Sequence, residues 1–332
     1  MFARMFSNPD IKSNTTILDQ TFIPKISYTE LQTEMTKLFD LKKLKNVKNS
    51  TEDTSLTQYW DLDKQANWKI YKNVAIKLIL SYAKTHKLDI LELYALLGDC
   101  RNIIAMNLQQ KDVDKLGKTR PLVSADKLMY ERYRTLIKYT DIYASFAPAL
   151  VEKFRSNGWS DEHNILIDDI VVTELCLNDI GEYAITIMHC EPSDEAFGIL
   201  AKKIKDEFSV FLNCDEKDDI LQSIAKLVYY FVLAMPLERG SAATTEMMIQ
   251  VLLKGKGLYL EYTDNIPLDL HAFLAKDINE FIEIFCSTHK TKKISQKQEI
   301  FFKPKSEEEN EDIFSSAQSL FGELDKENCL IS

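Results

Sequence analysis

Apolar residues recur at helical spacing along most of the chain from residue 60 onward. In the first such run they are Trp68, Tyr71, Val74, Ala75, Leu78 and Tyr82. A second run begins at Leu88 and continues to Leu96, and it reaches Gly98, a residue type that commonly ends a helix. The two runs predict a helical hairpin.

The same spacing predicts a further helix that ends near Asn157 and Gly158. Its apolar positions are Leu128, Tyr130, Tyr133, Leu136, Ile137 and Phe146. The pattern then changes, because residues 170–177 and 183–188 are rich in β-branched side chains and flank a turn-forming stretch at 178–181. One β-hairpin is therefore predicted.

Helical patterns return after Pro192, and they predict helices over 195–212, 218–235, 241–255 and 268–285. The second and third of these helices are joined by a short Pro/Gly-containing connection, residues 235–241, which we call the junction loop.

These patterns predict a mainly α-helical protein with one β-hairpin and four regions. Residues 1–55 are polar and predict a flexible N-terminal extension, with one short periodic piece around Leu31 and Met35. Residues 56–158 form a helical N-terminal half, 159–288 a helical core with the hairpin, and 289–332 a flexible tail that is basic and then acidic.

Composition and charge narrow the functional classes. The chain has 332 residues, 45% of them hydrophobic, with only 9 glycines and 8 prolines, which favours helices. A net charge of -10 argues against nucleic acid as a partner. Six cysteines without a C-x-x-C pair predict neither a disulfide framework nor a zinc site, so no metal is expected. No apolar run approaches the ~20 residues that span a bilayer.

The junction loop is the first candidate site. A loop that leads directly into a helix presents unpaired backbone N–H groups and the positive end of the helix dipole, which together favour anions. Gly240 permits close approach, Ser241 supplies a hydroxyl and Arg239 adds a positive charge. The alternative interpretation is structural, because any helix-loop-helix connection needs a glycine and a cap.

The order of elements around this loop is similar to the core of the Fic/Doc/AvrB-like (Fido) superfamily. The similarity covers about residues 168–260: a hairpin, a helix that starts after a proline, a second helix that ends in Met-Pro-Leu-Glu-Arg-Gly-Ser-Ala-Ala, and a third helix. Active members carry H-P-F-x-(D/E)-G-N-G-R-x-x-R at this junction. They usually transfer AMP, or another phosphate-linked group, to a protein hydroxyl. The resemblance implies a Fido-like fold and a candidate nucleotide site at residues 235–243.

Pro236 and Gly240 match the family motif, Leu237 stands for the phenylalanine and Ser241 for the asparagine. Met235, however, occupies the position of the general-base histidine.

Other positions of the motif differ as well. Arg239 occupies the position of the metal-holding acid, and Ala243 and Glu246 occupy those of the two arginines. A thioether cannot take a proton from a hydroxyl, and an arginine cannot hold magnesium. Standard AMP transfer is not expected.

Two interpretations follow from these substitutions. In the first, a pseudoenzyme keeps the scaffold as a binding module that binds an anion through Arg239, Ser241 and the backbone. Gly240 and Glu246 are the other candidate residues of this anion or nucleotide site. In the second, a divergent transferase uses the charged residues that remain, namely Glu238, Arg239 and Glu246. The sequence does not complete a catalytic constellation for either, so whether the chain is an enzyme stays open, and no catalytic residue is assigned.

Cys329 is the second candidate site. Cys329-Leu330-Ile331-Ser332 has the cysteine fourth from the end, two aliphatic residues and a final serine, a pattern that predicts farnesylation by a host farnesyltransferase. A single lipid holds weakly. Lysines between 290 and 305 and an amphipathic segment at 313–324 are candidate supports for membrane contact. No cofactor is required beyond the farnesyl group and the candidate nucleotide.

The tail is also similar to those of bacterial effectors exported by Dot/Icm-type IV secretion, which typically end in a glutamate-rich block followed by small and apolar residues. Glu307-Glu308-Glu309 and the residues after them follow that order. The resemblance implies secretion into a host cell, attachment to the cytosolic face of a host membrane and action on an unidentified host protein. The alternative is a native eukaryotic, lipid-anchored scaffold protein.

Overall fold

A computed structural model describes residues 26–39, 62–86, 88–110, 112–120, 134–138, 147–177, 183–189, 195–262 and 268–293. The prediction of a mainly helical protein is confirmed. Among the described residues the helices are α1 (Tyr28–Leu38), α2 (Leu62–Thr85), α3 (Ile90–Asn107), α4 (Ala147–Ser156), α5 (Glu195–Asn213), α6 (Lys217–Ala234), α7 (Ser241–Gly255), α8 (Leu268–Leu274) and α9 (Ile278–Thr288). The strands are β1 (Arg134–Lys138), β2 (Glu162–Ile167), β3 (Ile170–Leu177), β4 (Tyr183–His189), β5 (Leu258–Tyr262) and β6 (His289–Lys293).

The predicted hairpin is confirmed as the antiparallel pair β3 and β4. These two strands are the centre of a larger antiparallel sheet with the order β1-β4-β3-β2. The sequence-based prediction missed the outer strands β1 and β2. A separate pair, β5 and β6, was also missed. Within the described residues, β2 has one neighbouring strand and forms an edge of the four-stranded sheet.

Strands β2 and β3 are joined by a tight turn. Ile167 pairs with Ile170, which leaves Asp168 and Asp169 as the two turn residues. Both have a left-handed backbone, with φ of 49° and 65°. The register shifts next to Ile165, because β3 carries one extra residue there.

Helix α1 corrects the prediction of a flexible extension for its part of residues 1–55. Ser27 and Glu30 form a reciprocal capping box at its start, a motif that satisfies two backbone N–H groups. Leu31 and Met35 lie on its inner face and are fully buried. Residues 1–25 and 40–55 lie outside the described residues.

Helix α3 corrects the prediction that Gly98 ends a helix, because it runs from Ile90 to Asn107 without interruption. Gly98 has a different use. A Cβ built on it would lie 2.8 Å from the carbonyl oxygen of Gly117, and a Cβ on Gly117 would lie 2.0 Å from the carbonyl oxygen of Gly98. The two glycines thus allow residues 112–120 to lie directly on α3.

Two other helical predictions are wrong in part. Leu136 and Ile137 belong to β1, which pairs with β4, rather than to a helix that continues to residue 157. The part of that predicted helix which forms is α4. The single helix predicted over 268–285 is divided into α8 and α9, because the Asp277 carboxylate accepts hydrogen bonds from the N–H groups of Asn279 and Glu280 and caps a new helix there.

One hydrophobic core joins the two regions that were predicted as 56–158 and 159–288. Helix α6 lies at its centre and packs against α5, α7, α8 and α9, while α3 packs against α7. Among the described helices, none combines the length and the apolar character needed to cross a bilayer. The core therefore places the junction loop between helices from both halves of the chain.

Candidate functional site

The junction loop begins where α6 ends at Met235. This residue has a left-handed backbone (φ 37°, ψ 64°), and its N–H donates to the carbonyl of Phe231. Pro236 follows and cannot continue a helix, because it lacks an N–H group and restricts the residue before it. The side chain of Met235 is a thioether, which cannot act as a general base.

Residues 112–120, which we call the covering segment, hold the junction loop along its length. The N–H of Gly117 donates to the carbonyl of Arg239 at 2.8 Å, and that of Glu238 donates to Lys118 at 2.8 Å. The N–H of Arg120 donates to Pro236 at 3.0 Å. Three backbone hydrogen bonds therefore fix the loop, and no local pattern in the sequence predicts this pairing.

Arg120 makes a second contact that stabilises the junction. Its buried guanidinium donates through Nη2 to the carbonyl oxygen of Ala234, 3.0 Å away. Ala234 is the last residue of α6, so a cation lies where the helix dipole is negative and a carbonyl lacks an intrahelical partner. The covering segment thus caps α6 as well as pairing with the loop.

The covering segment is itself anchored to α3. The Asn102 amide donates to the carbonyls of Val113 and Leu116 at 2.7 and 2.9 Å. The Tyr28 hydroxyl of α1 donates to the same amide's oxygen at 2.6 Å. A series of hydrogen bonds thus connects α1, α3, the covering segment and the junction loop.

Arg239, the first of the predicted anion-binding residues, lies at the surface. Its guanidinium forms a close ion pair with Asp112 of the covering segment, and both side chains are about half exposed. Its neighbour Glu238 lies 3.6 Å from Lys115 of the same segment. Opposite charges on the loop and on the segment are therefore matched in pairs.

Gly240 and Ser241 lie at the start of α7. Gly240 has φ 88°, which glycine adopts without strain. No side chain caps the helix, because the N-cap residue is Gly240, and the hydroxyl of Ser241 donates back to the carbonyl of Leu237 at 3.4 Å. Ser241 is also buried, so its hydroxyl is not directed at solvent.

Arg101 is a residue that sequence reasoning missed. A Cβ on Gly240 would lie 3.3 Å from Cγ and 3.4 Å from Nε of Arg101, so this side chain passes beside the N-terminus of α7. Its guanidinium lies over the ring of Trp68, 4.9 Å from the centroid, and burial lowers its pKa to about 10. A buried cation next to a helix N-terminus makes this part of the junction positive. The prediction missed Arg101 because it ended the helix at Gly98, three residues before Arg101.

Glu246 lies deeper and belongs to the core. Its carboxylate is 2.8 Å from Nζ of Lys72 in α2, and the two side chains are 2% and 0% exposed. Gln250 also donates to this carboxylate at 3.5 Å. The structure therefore separates Glu246 from Arg239, and the four predicted residues do not form one constellation.

Tyr94 completes the polar contacts under the junction. Its hydroxyl donates to the carbonyl of Ser241 at 3.2 Å and lies 3.2 Å from the hydroxyl of Thr245. The ring stacks on Phe231 with centroids 4.2 Å apart. Burial raises the pKa of Tyr94, so this hydroxyl stays protonated at neutral pH.

Other candidate chemistry is sparse in the described part of the chain. Its His, Cys, Asp and Glu side chains form no group of three that could hold a metal ion. Cys329 and the segment 313–324 lie outside the described residues.

Comparison with known proteins identifies no family. The sequence matches no protein-family model, and no curated protein matches it either.

Proposed function

We propose that this protein is a translocated bacterial effector that binds a host protein at the cytosolic face of a host membrane. Binding uses a degenerate Fido-like domain, and a farnesyl group on Cys329 supplies the attachment. One observation carries the non-catalytic part of the proposal: the charged groups that the motif places at the junction are held by partners within the chain.

A group transfer to a protein hydroxyl needs a base near the acceptor and a group that holds the metal-bound phosphates. Met235 supplies no base. Arg239 pairs with Asp112 at the surface, and Glu246 pairs with Lys72 in the core. The junction therefore supports a rigid platform better than it supports transfer chemistry.

A divergent transferase is the second candidate, and the position of Arg101 favours it. The side chain of this buried arginine runs beside the N-terminus of α7, and both its charge and the helix dipole attract an anion such as a nucleotide phosphate. Binding an anion there does not by itself supply a base.

Incubation of the purified protein with labelled nucleotides and host lysate separates the two candidates. We expect no label on any protein above the level seen without the effector. Labelling that requires the effector and is lost in Arg239→Ala would overturn the binding proposal in favour of the transferase.

Partition between membrane and cytosol in host cells tests the attachment. We expect Cys329→Ser to move the protein from membranes into the cytosol, because serine lacks the thiol that carries the farnesyl group and the protein then has no lipid at this position. Its circular dichroism spectrum should be unchanged. A Cys329→Ser protein that stays on membranes would show that the farnesyl group is not the anchor.

A further inference from the structure

Among the described residues, the outer edge of β2 has no neighbouring strand, and the contact made by its outward backbone groups is a hydrogen bond from the Ser160 hydroxyl to the carbonyl of Glu162, 3.0 Å long. A carbonyl oxygen has two lone pairs, so this one can still accept from a further strand. The N–H of Leu177 donates to the carbonyl of Asp161 at 2.7 Å, which makes these two residues a hydrogen-bonded pair. Such pairs alternate along an antiparallel ladder. His163 and Ile165 therefore direct their N–H and C=O groups towards β3, and Glu162 and Asn164 direct theirs away from it.

At the other end of β2, the backbone N–H and C=O groups of Leu166 also point away from β3. Ile167 and Ile170 flank a two-residue turn and form the hydrogen-bonded pair that closes it. Leu166, one residue earlier, therefore faces outward. No other described segment pairs with β2 on this side. Glu162, Asn164 and Leu166, every second residue of β2, thus have outward-facing backbone groups, and three such positions are enough to receive another strand.

The side chains of this edge also differ from an ordinary polar surface. Leu166 and Val171 are paired across the two strands and are 52% and 38% exposed. On the other face of β2, Ile165 is buried in the core and fixes the strand. A rigid edge therefore presents an exposed apolar pair at the end nearest the turn.

The β2–β3 hairpin carries only negative charge among its Asp, Glu, Lys and Arg side chains. Residues 157–177 contain no lysine or arginine, and their acidic residues are Asp161, Glu162, Asp168, Asp169 and Glu174. Lys203 of α5 pairs with Asp168 at 2.8 Å. Among the described residues, Asp161, Glu162 and Asp169 are exposed and form no ion pair.

We propose that the β2 edge binds an extended, lysine- or arginine-containing segment of a partner protein, which joins the sheet as a further strand. On the face of the sheet that carries Glu162 and Leu166, apolar side chains of that segment cover Leu166 and Val171, and its cations face Glu162. Charge selects this occupant over a second copy of the chain, because two β2 edges would bring like charges together. The inference rests on the proposed binding function and gives it a surface.

The test uses full-length Cys329→Ser protein, so that lipid attachment plays no part. The probe is a labelled synthetic strand peptide of about eight residues, with threonine on one face and, on the other, valines towards one end to lie beside Leu166 and lysines towards the other end to lie beside Glu162. It is matched by a peptide in which glutamate replaces lysine. We expect the lysine peptide to bind in a fluorescence anisotropy titration and the glutamate peptide not to bind. Amide exchange should then slow at Glu162, Asn164 and Leu166.

Leu166→Lys is the decisive variant, because it removes the apolar contact and places a like charge opposite the peptide. Affinity should fall about tenfold. Val210→Lys is the matched control, since Val210 is 51% exposed on α5 and is not part of the edge. Its affinity should equal that of the unsubstituted protein.

Glu162→Lys tests the charge selection. It should weaken the lysine peptide about threefold and strengthen the glutamate peptide. The proposal is overturned if the lysine peptide does not bind, if Val210→Lys weakens it as much as Leu166→Lys, or if binding leaves exchange at the three edge amides unchanged. Any of these results leaves the nucleotide and membrane tests untouched, so the two proposals fail separately.

Discussion

The junction loop and the β2–β3 hairpin both lie at the surface, but their polar groups are used differently. Backbone groups of the junction loop pair with the covering segment, and its charged side chains pair with Asp112 and Lys115. Among the described residues, the β2–β3 hairpin has an edge with no neighbouring strand and three exposed carboxylates that form no ion pair. The junction loop, which resembles a known motif, therefore uses its polar groups for contacts within the chain. The β2–β3 hairpin, which resembles none, has polar groups that can contact another molecule.

The buried ion pair under the junction gives the largest expected effect. Glu246→Ala should destabilise the protein by about 3–5 kcal/mol, because it leaves the Lys72 ammonium buried without its carboxylate. Urea denaturation measures this change. Lys153→Ala is the control, since its pair with Glu280 is partly exposed and contributes about 1 kcal/mol or less. Equal effects in the two variants would show that the Lys72 pair is solvated and that the junction is less rigid than described.

The contact between the covering segment and α3 gives the next effect. Gly117→Ala and Gly158→Ala both place a side chain at φ 75°, which costs about 1–2 kcal/mol. At Gly117 the new Cβ also meets the Gly98 carbonyl, whereas at Gly158 nothing lies within 4 Å. The difference between the two variants should be at least ~2 kcal/mol in urea denaturation. No difference would mean that the segment moves freely away from α3.

The pH dependence of stability tests the same contact electrostatically. Burial raises the pKa of Asp99 in α3 to about 6, and attraction by Lys118 of the covering segment only partly opposes this shift. The folded state therefore holds a proton that the unfolded chain releases near pH 4, so this group reduces stability as the pH rises from about 4 to about 6.

Asp99→Asn should remove this loss and be more stable than the unsubstituted protein above pH 6, by about 1–3 kcal/mol. Thermal denaturation between pH 4 and pH 7.5 provides the measurement. Asp114→Asn, on the exposed surface of the covering segment, is the control and should leave the pH profile unchanged. A profile that is identical in Asp99→Asn would show that the covering segment leaves this carboxyl open to water.

The smallest effect is expected from the surface pair of the junction. A double-mutant cycle with Arg239→Ala and Asp112→Ala should give a coupling energy of about 1 kcal/mol or less that declines with added salt. The backbone hydrogen bonds then remain the main restraint on the loop. A coupling energy above about 2 kcal/mol would assign that role to the side chains.

Helix predictions succeeded where a helix is amphipathic and bounded by local signals. Helices α5, α6 and α7 were predicted to within one or two residues, because Pro192, Pro236 and the glycines at 255 and 257 mark their ends. Two local signals were present but unused: the capping pair Ser27 and Glu30, and Asp277 before α9. Both could have placed α1 and divided α8 from α9.

The remaining errors concern contacts between distant residues. Gly98 was interpreted as a helix end, but it is required inside α3 by the close approach of Gly117. Strand β1 contains Leu136 and Ile137 at spacings compatible with a helix, and only its pairing with β4 determines its structure. No local pattern contains that information.

The candidate site shows the same division. The junction loop, its glycine and its substituted motif positions were visible in the sequence. Its partners were not, because Asp112, Arg120 and Arg101 come from regions more than a hundred residues away. The β2 edge was missed altogether, since an edge is defined by the absence of a neighbouring strand in three dimensions.

The pairing of Lys72 with Glu246 has a consequence for the order in which the chain can fold during synthesis. The two residues are 174 positions apart. At about 5–20 residues added per second, Lys72 leaves the ribosome roughly 10–35 seconds before Glu246 does. Helix α2 cannot form its buried ion pair with α7 in that interval, so this contact between the two ends of the described core forms late.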